Sequence, residues 1–374
     1  MKILFFNEYS TARAVSGAEY STQELAKALK VKIYSPPWKK NKPGKALTPL
    51  WFNNPIYWIW AAYHITCAVR SKKIDLIHVH GKYIQSGAVI AGWLTGKPVV
   101  TTVRDFKFLC PLALCFTHGR KHCNWEYYLT KEISEYQDRY GRVSAIKLVI
   151  AKLLQLRMKW WLNRSAKVVA VSPQLKKIYE DNGVRNLTSI YNLPPVRLAP
   201  LAHRYSPKNR KTLLSVGKLS YGKGTDSLIE AMRKLPQVKL ILAGELNPSL
   251  KVDFPGNVEY LGKISHEQVL KLYGKADAFA ILSRWPEPLS RAGLEALAAS
   301  LPIIASNRGG NQELITDNGI IVDPDDVDGV RAGIKKLLSS DLNRFSQNSL
   351  KLYQTRFSRT KIIDQHLKLY QDLI

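Results

Sequence analysis

Eight short apolar runs, four on each side of a proline-rich stretch, constrain the fold of this chain more than any other feature. The first four are KILFF, DLIHVH, KPVVTTV and AKVVAVS, and the second four are KTLLSVG, VKLILAG, AFAILS and LPIIAS. The runs are rich in β-branched residues and apolar throughout, as expected for parallel strands covered by helices on both faces. The spacing between runs leaves room for helices, so the pattern predicts an α/β fold that occurs twice.

The proline-rich stretch between the two sets, residues 192–211, marks a domain boundary. It contains four prolines and shows no helical or strand periodicity. A chain of 374 residues is longer than one hydrophobic core usually accommodates, and its length is typical of two domains of about 150 to 200 residues. The predicted organisation is an N-terminal domain at 1–195, a linker at 196–210, a second domain at 211–357 and a terminal helix at 358–374. The terminal helix has apolar residues at helical spacing and suits packing on either domain.

The charge of the chain is strongly positive and unevenly distributed. The formal net charge is +27, of which residues 1–200 carry +20 and residues 201–374 carry +7. Such an asymmetry indicates that the first half meets an anionic partner, either nucleic acid or an acidic membrane surface. No recognised nucleic-acid-binding module occurs in the sequence, so nucleic acid is disfavoured.

Two stretches of the first half favour the membrane surface. Residues 144–161 place an apolar stripe on one helical face, and three lysines lie off that stripe. The stripe consists of Ile146, Val149, Leu153, Leu156 and Trp160, and the lysines are Lys147, Lys152 and Lys159. Residues 49–63 add an aromatic cluster from Trp51 to Tyr63, and both stretches suit headgroup depth in an anionic lipid surface. The alternative is that these helices pack on the first sheet and the lysines are merely solvated.

The N-terminus and the cysteines favour the cytoplasm. Only five apolar residues precede Asn7 in the opening run, which is typical of a buried strand rather than a signal peptide. No apolar run reaches the roughly 18 residues of a membrane span. Four clustered cysteines are too few for a secreted disulfide framework. We therefore expect a cytoplasmic protein that attaches peripherally to the inner face of the cell membrane.

The cysteine stretch CPLALCFTHGRKHC raises a metal hypothesis. The ligands would be Cys110, Cys115 and Cys123 with His118 or His122. The spacing is not that of a paired CxxC zinc site, so packing thiols are the favoured interpretation and no metal is assigned.

The residues that follow two of the second-half strands indicate a diphosphate site. KTLLSVG is followed by KLSYGKG, which places Lys218 and Lys223 around a turn with Gly217, and AFAILS is followed by SRWPEPLSRAGLEAL. Ligands of open α/β sheets bind beyond the carboxyl ends of the strands. A diphosphate can be bound by two cations beside a flexible turn. It can also accept hydrogen bonds from the unpaired N–H groups at the start of a helix, which small residues leave accessible.

Two glutamates in the second segment suit the sugars of such a ligand. Glu295 follows Glu287 by eight residues, so the first acid belongs in the loop and the second two turns further along the helix. A carboxylate accepts hydrogen bonds from two vicinal hydroxyls, which a sugar and a ribose both offer. The alternative is an ordinary helix start with a surface glutamate and a second glutamate paired to lysine.

These motifs resemble those of the retaining glycosyltransferases of the GT-B fold, in the large family four. The similarity rests on SGAEYSTQELAKAL, TTVRDFKFLCP, VSPQLKKIYEDNGV, SVGKLSYGKG and EPLSRAGLEALAASLPIIASNRGGNQELI. It implies two Rossmann-like doubly wound domains facing each other across a cleft. The implied reaction uses no cofactor and moves a hexose from a nucleotide-diphosphate sugar, UDP- or GDP-linked, to a lipid-linked, glycolipid or polysaccharide acceptor of the cell envelope.

By position, the resemblance assigns Glu287 to the donor sugar, Glu295 to the ribose, and Lys218 and Lys223 to the diphosphate. The start of the helix adds four amides, since Ser290, Arg291, Ala292 and Gly293 can offer backbone N–H groups to phosphate. The further donor-binding candidates are Leu289, Gly217, Gly262, Lys263 and Gly17.

The first half departs from the family pattern at one position. Relatives carry His-Asp where this chain has Arg104-Asp105, and arginine cannot act as a base but binds phosphate or a sugar hydroxyl. Arg104 and Asp105 are kept as catalytic candidates, and Arg104 with His80 as acceptor-side candidates. His78 and His80 are equally interpreted as buried core histidines with satisfied hydrogen bonds.

The sequence also bears on metal binding and on functions other than sugar transfer. The acidic stretch VDPDDVDG, residues 322–329, follows a strand and opens a helix, so helix capping is favoured over metal binding and the transfer is expected to be metal-independent. A dinucleotide oxidoreductase is disfavoured because GxGxxG follows neither first strand. The alternatives that stay open are another GT-B nucleotide-sugar enzyme, such as an epimerase, and a non-catalytic cationic protein that binds membranes or nucleic acid.

Overall fold

The computed structural model describes residues 1–7, 17–35, 54–112, 122–140, 144–194 and 210–374. These residues form two compact units, the first made of residues 1–193 and 360–374 and the second of residues 194–359. The division falls within the proline-rich stretch, and the predicted linker lies outside the described residues except for Arg210. The terminal helix belongs to the first unit.

The first unit is built on a six-stranded parallel sheet in the order β2-β1-β3-β4-β5-β6. Its strands are β1 (Ile3–Phe6), β2 (Ile33–Tyr34), β3 (Leu76–Val79), β4 (Val99–Val103), β5 (Lys167–Ala170) and β6 (Leu187–Ser189). All four apolar runs predicted for this half are strands. The order 2-1-3-4-5 is that of flavodoxin-like doubly wound sheets, in which the strand order reverses between the first and third strands.

Helices cover this sheet. They are α1 (Gly17–Ala28), α2 (Pro55–Lys72), α3 (Gln85–Thr95), α4 (Trp125–Tyr127), α5 (Ile133–Tyr140), α6 (Ala145–Leu162) and α7 (Pro173–Asp181). A π-helical turn, Tyr128–Glu132, joins α4 to α5. Helix α2 begins where Asn54 Oδ1 accepts the Ile56 N–H at 2.9 Å, as an N-cap residue does before a proline at the first helical position. It packs so closely on α3 that a Cβ on Gly87 would lie 2.6 Å from Ala61 Cβ.

The second unit repeats this plan with the strand order β12-β11-β10-β7-β8-β9, again all parallel. Its strands are β7 (Lys211–Val216), β8 (Val238–Ala243), β9 (Val258–Tyr260), β10 (Ala278–Ile281), β11 (Ile303–Ser306) and β12 (Gly319–Val322). This is the Rossmann order, so the switch point at which ligands bind lies between β7 and β10.

The helices of the second unit lie on both faces of that sheet. They are α8 (Thr225–Arg233), α9 (His266–Tyr273), α10 (Arg291–Ala298), α11 (Val327–Ser339) and α12 (Leu342–Arg356). Two 3₁₀ turns, Tyr221–Lys223 and Gly309–Leu314, follow β7 and β11.

The last helix, α13 (Arg359–Gln371), returns the chain to the first unit. Ile362 and Tyr370 are fully buried there among Phe5, Leu76 and Val100. The predicted terminal helix therefore adds to the core of the N-terminal half rather than to the unit that precedes it in sequence. Within the described part of the chain, no helix has the length and apolarity needed to cross a bilayer.

Candidate active site

The carboxyl edge of the second sheet is shaped by glycines. The Gly217 N–H donates to the Ala243 carbonyl at 3.0 Å, and the Gly244 N–H donates to the Gly262 carbonyl at 2.8 Å. A Cβ on Gly244, whose φ is +151°, would lie 1.7 Å from the Gly217 oxygen. The backbones of the loops after β7, β8 and β9 are therefore in direct contact. Lys218 directly follows Gly217, Lys263 directly follows Gly262, and both lysines are exposed. No other part of the described chain forms an ion pair with either lysine.

Lys223, Ser283 and Glu287 meet at the switch point between β7 and β10. The Lys223 ammonium and the Ser283 hydroxyl both donate to Oε1 of Glu287. The Glu287 side chain is 15% exposed and the Lys223 side chain 34%. Burial by itself would raise the pKa of the Glu287 carboxyl, but the Lys223 charge and the two hydrogen bonds hold that pKa below its usual value. The site therefore holds an ionised carboxylate beside a cation at a ligand-binding edge.

Two glycines from a distant turn position the Glu287 backbone. The Gly310 N–H donates to the Glu287 carbonyl at 2.6 Å. A Cβ on Gly309, whose φ is +61°, would lie 2.4 Å from the Glu287 nitrogen, and one on Gly310 would lie 2.1 Å from the Pro288 oxygen. Only glycine permits this approach, so the turn after β11 fixes the loop that carries Glu287.

Arg284 holds the same loop from the other side, and its role was not predicted from the sequence. Its guanidinium donates to both carboxylate oxygens of Asp226 at 2.7 and 2.9 Å and to Asp325 at 2.6 Å. It also stacks over the Tyr221 ring, 4.0 Å from the centroid. Because a bidentate, stacked guanidinium is rigid, Arg284 ties the Glu287 loop to the turn that carries Lys223. Its partners lie 41 and 58 residues away in sequence, so no local pattern marks them.

Glu295 lies on helix α10, deeper than Glu287, as its position in sequence predicts. It is 5% exposed, and its carboxylate contacts His266 Nε2 at 3.0 Å and the Tyr273 hydroxyl at 3.1 Å. The Arg291 guanidinium is 3.8 Å away. Burial, and then the Glu295 charge, raise the pKa of Tyr273 well above its usual value, so the phenol stays protonated and donates to the carboxylate.

The start of helix α10 differs in detail from its predicted role. Ser290 is the N-cap, and its hydroxyl accepts the Gly293 N–H at 3.2 Å. One of the four amides that the sequence assigned to phosphate is therefore already used in this structure. A Cβ on Gly293 would lie 2.4 Å from Leu314 Cδ1, so that glycine serves close packing. Leu289 is buried, and the Ala292 carbonyl accepts from Tyr273.

The acidic stretch after β12 is a cap and a set of ion pairs. Asp326 is the N-cap of helix α11 and accepts the Gly329 N–H at 2.9 Å. Asp323 pairs with Arg308 at 3.0 Å, and Asp325 pairs with Arg308 and Arg284. The capping interpretation is confirmed for Asp326.

In the first unit, Arg104 and His80 form a polar pair at the ends of β4 and β3. The Arg104 Nη2 donates to His80 Nδ1 at 3.1 Å, and its Nε donates to Asn192 Oδ1 at 3.3 Å. His80 Nδ1 must therefore accept, which leaves the proton on Nε2. Burial lowers the pKa of Arg104 to about 10, so the guanidinium stays charged at neutral pH. Arg104 Nη1 and His80 Nε2 are buried atoms without a hydrogen-bond partner in the described structure.

The neighbours of this pair have structural roles. His78 is fully buried between the Tyr370 hydroxyl and Thr102 Oγ1, each at 2.7 Å, so the core-histidine interpretation holds for it. The Asp105 carboxylate is exposed and accepts the Lys107 N–H at 2.8 Å, which closes a local turn. Gly17 is the first residue of helix α1.

Helix α6 exposes most of the predicted apolar stripe but buries one of the three lysines. Helix α6 buries Lys152 at 4% exposure together with Gln155 at 5%, whereas Ile146, Leu153 and Leu156 are 52–73% exposed. The assignment of Lys152 to a solvated face is therefore wrong, because that lysine lies beneath the helix. In helix α2, Tyr57 and Trp58 are buried, and Trp51 lies outside the described residues.

Exposed apolar side chains of helices α2, α3 and α6 form what we call the apolar helix surface. The three helices are neighbours, since Trp161 of α6 contacts Trp93 of α3 at 5.5 Å and Trp58 of α2 at 5.6 Å between ring centroids. The surface consists of Ile56, Ile59, Tyr63, Trp93, Leu94, Ile146, Leu153, Leu156 and Trp160, each at least 47% exposed. Apolar groupings of this kind on a water-facing side mark an interaction site.

Comparison with known proteins agrees with this architecture. A family model described as Glycosyltransferase Family 4 matches residues 15–193, and one described as Glycosyl transferases group 1 matches residues 202–352. The chain is a glycosyltransferase of the GT-B fold. The two-domain α/β prediction is confirmed.

Three similar proteins show how far the similarity extends in sequence identity and in coverage. Spore coat protein SA of Bacillus subtilis is 32% identical over 43% of this chain, and the match spans only 49% of that protein's length. Glycogen synthase of Mycobacterium tuberculosis is 24% identical over 76% of this chain and 68% of its own length. The crystal structure of Anabaena HepE in complex with UDP superimposes with a TM-score of 0.68 over the full length of both chains at 20% identity, which shows a shared GT-B fold.

Proposed function

We propose that this glycosyltransferase moves a hexose, with retention of configuration, from a UDP- or GDP-sugar to a lipid-linked or glycan acceptor of the cell envelope. The observation that carries the proposal is the contact of Lys223, Ser283 and Glu287 at the Rossmann switch point of the second unit. An ionised carboxylate suits sugar hydroxyls, and an adjacent cation suits a diphosphate. HepE, which shares the fold, was crystallised with UDP.

The donor would lie along the carboxyl edge of the second sheet. Lys223 and the exposed Lys218 would hold the diphosphate together with the first amides of helix α10, and Glu287 would accept from the hexose hydroxyls. Glu295 would accept from the ribose, with Tyr273 and His266 fixing its orientation. Gly217, Gly262 and Lys263 would line the same edge.

The transfer step follows from the charges at that edge. The acceptor hydroxyl oxygen would attack the anomeric carbon from the face that the diphosphate leaves, so that the carbon–oxygen bond to phosphate breaks as the new one forms. The hydroxyl proton would pass to the departing phosphate oxygen. Lys218, Lys223 and the helix amides would stabilise the charge that develops on the diphosphate, which a metal ion does in other transferases.

Arg104 and His80 would serve the acceptor in the first unit. The buried Arg104 Nη1 and the protonated His80 Nε2 are donors that the described structure leaves unbonded, and a hydroxyl or phosphate of the acceptor would satisfy both. Burial lowers the pKa of Arg104 to about 10, and the Asp105 charge opposes that lowering, so Asp105 would help to keep the guanidinium protonated.

The Glu295→Gln variant should bind the free nucleotide diphosphate more weakly, by about 1–3 kcal/mol, because a charged hydrogen bond to ribose becomes a neutral one. Isothermal titration calorimetry with UDP and GDP measures this. The matched control is Glu267→Gln on helix α9, since Glu267 is an exposed acid that pairs only locally, with Lys271. If Glu295→Gln binds the nucleotide diphosphate with wild-type affinity, the proposed contact between Glu295 and the ribose is contradicted.

The acceptor class is proposed from the first unit's surface. The apolar helix surface adjoins the basic residues Arg70, Lys72, Lys147 and Arg157, which are exposed, and the half-chain charge is strongly positive. Apolar side chains at headgroup depth with cations around them suit an anionic bilayer. We infer attachment to the cytoplasmic face of the cell membrane, where lipid-linked acceptors are held.

Vesicle co-sedimentation tests the attachment. Wild-type protein should bind anionic vesicles and stay in solution with neutral ones, and Leu153→Glu with Leu156→Glu should lower the bound fraction at least about tenfold because two leucines leave the lipid. The control is Ile321→Glu, because Ile321 is an apolar residue of the second unit that is also exposed, at 44%. If wild-type protein stays in the supernatant with anionic vesicles at low salt, membrane attachment is contradicted and a soluble glycan becomes the favoured acceptor.

Product analysis separates transfer from the related chemistries. Incubation with a hexose donor and a lipid-linked acceptor should yield glycosylated acceptor and free nucleotide diphosphate, detected by mass spectrometry. An epimerised donor without transfer would favour the epimerase alternative. Salt-sensitive RNA binding without any donor binding would favour the non-catalytic one.

A further inference from the structure

Two cysteines and a glutamate of the first unit converge below helix α6. Cys110 Sγ lies 3.1 Å from Glu132 Oε1, Cys123 Sγ lies 3.2 Å from Glu132 Oε2, and the two sulfurs are 3.3 Å apart. Cys110 and Glu132 are fully buried. Cys110 follows β4, Cys123 precedes helix α4, and Glu132 ends the π-helical turn. One sulfur from each cysteine and one carboxylate oxygen therefore form a compact triangle of possible metal ligands.

The spacing of the three side chains is compatible with one face of a zinc coordination tetrahedron. Zinc–sulfur bonds of about 2.3 Å and zinc–oxygen bonds of about 2.0 Å give ligand-to-ligand edges of roughly 3.5–3.8 Å. The sulfur–sulfur distance of 3.3 Å and the sulfur–oxygen distances of 3.1 and 3.2 Å, which end on different oxygens of Glu132, are slightly shorter than these edges. One ligand atom from each residue lies within 4.8 Å of the other two, so a small adjustment of the Glu132 carboxylate would accommodate the ion. Thiolates favour zinc over the harder cations magnesium and calcium.

Lys152 completes the charge balance of this cluster. Its ammonium lies 2.8 Å from Cys123 Sγ and 3.1 Å from the Cys123 carbonyl, which explains why a lysine is buried under an exposed apolar helix face. Two thiolates and a carboxylate carry three negative charges, and zinc with the ammonium carries three positive ones. A buried site that is neutral and fully bonded avoids the desolvation cost of an unpaired charge.

The cluster differs from the ligand set that the sequence suggested. The His122 ring contacts Asn182 Oδ1 at 3.2 Å, so His122 is engaged elsewhere, whereas Glu132 had not been considered. Cys115 and His118 lie outside the described residues. A π-helical turn is rare and often marks a functional site, and here it brings Glu132 to the two sulfurs.

We propose that Cys110, Cys123 and Glu132 bind one zinc ion that ties the segment after β4 to the start of helix α4 and to the π-helical turn. Lys152 donates to the Cys123 thiolate, and water fills the fourth position. Binding releases the two thiol protons to solvent and changes no oxidation state. The site has a structural role in the first unit and is independent of the proposed sugar transfer.

Metal analysis of the full chain tests the proposal. Protein purified without chelators should contain about one zinc ion per chain, measured by inductively coupled plasma mass spectrometry. Cys110→Ser, Cys123→Ser and Glu132→Gln should each lower the content at least about fivefold, since one of three ligands is lost. The matched control is Cys67→Ser, because Cys67 is exposed and should leave the zinc content unchanged.

Cobalt addition and chelation test the site in wild-type protein, so the result does not depend on whether the variants fold. Apo wild-type protein given Co²⁺ should develop a thiolate-to-cobalt absorption band, and a strong chelator should lower the thermal midpoint of wild type but not of Glu132→Gln. Wild-type protein that holds no zinc and develops no cobalt band would overturn the proposal. So would a Cys110–Cys123 disulfide found by mass spectrometry in the native protein.

Discussion

The Lys223→Ala variant is expected to turn over about ten to a thousand times more slowly than wild type in sugar transfer. The change removes a cation from the diphosphate side of the site and leaves the Glu287 carboxylate, only 15% exposed, without its cationic partner. The pKa of Glu287, which Lys223 now holds down, should rise as a result. Initial rates with a saturating acceptor measure the effect, and circular dichroism checks that the second unit remains folded.

A surface ion pair of the same unit supplies the control. Lys239 pairs with Glu259 at 2.6 Å between strands β8 and β9, and both side chains are at least 40% exposed. Lys239→Ala should stay within about twofold of wild type, because exposed ion pairs contribute little. The Glu287→Gln variant should be as damaged as Lys223→Ala, and the double variant should lose less than the sum of both. A double variant with full activity would contradict the assignment.

Acidification should destabilise the first unit through its buried histidines. Burial, and then the charges of neighbouring residues, lower the pKa values of His78 and His80. Burial also lowers the pKa of His366 to about 4. Below pH 6.5 the unfolded chain therefore binds protons that the native state excludes, so stability is full above that pH and falls as the pH falls. For His366 alone the loss between pH 6.5 and 4 is about 3 kcal/mol.

Thermal unfolding between pH 7.5 and 4.5 measures this dependence. The His366→Gln variant should have a shallower decline of the thermal midpoint than wild type. His122→Gln should not, since His122 is exposed. A wild-type midpoint that does not change over this range would show that the histidines titrate normally, and the buried cluster would then be wrong.

The strands that the sequence predicts and those that it does not differ by their place in the sheets. All eight apolar runs contain a strand, and each of these strands lies inside its sheet. The four strands without a predicted run, β2, β6, β9 and β12, are the outermost strands of the two sheets. An edge strand needs fewer apolar side chains because one side is open, so its sequence lacks the continuous pattern.

The site was predictable where its residues are close in sequence. Lys223, Glu287 and Glu295 follow from local spacing, because the turn and helix that carry them are local structures. Arg284, with its distant aspartates, was not predictable, since its role depends on which strands are neighbours.

Helix α6 shows where helical periodicity fails. Its sequence has apolar residues on both faces, so periodicity could not tell which stripe faces water. The structure buries Lys152 and exposes Leu153 and Leu156, because the lysine has a partner in the thiol cluster. Only tertiary contacts supply that information.

The central claim, that the edge around Lys223 and Glu287 binds a nucleotide-diphosphate sugar, is tested most directly by a thermal-shift panel of UDP-, GDP- and ADP-sugars. A ligand at about 100 times its dissociation constant stabilises the native state by roughly 2.7 kcal/mol. One nucleotide class should raise the midpoint of wild type and of Lys239→Ala, and should leave Lys223→Ala nearly unchanged. If no nucleotide sugar shifts wild type, or if Lys223→Ala shifts as much as wild type does, the proposed donor site is contradicted.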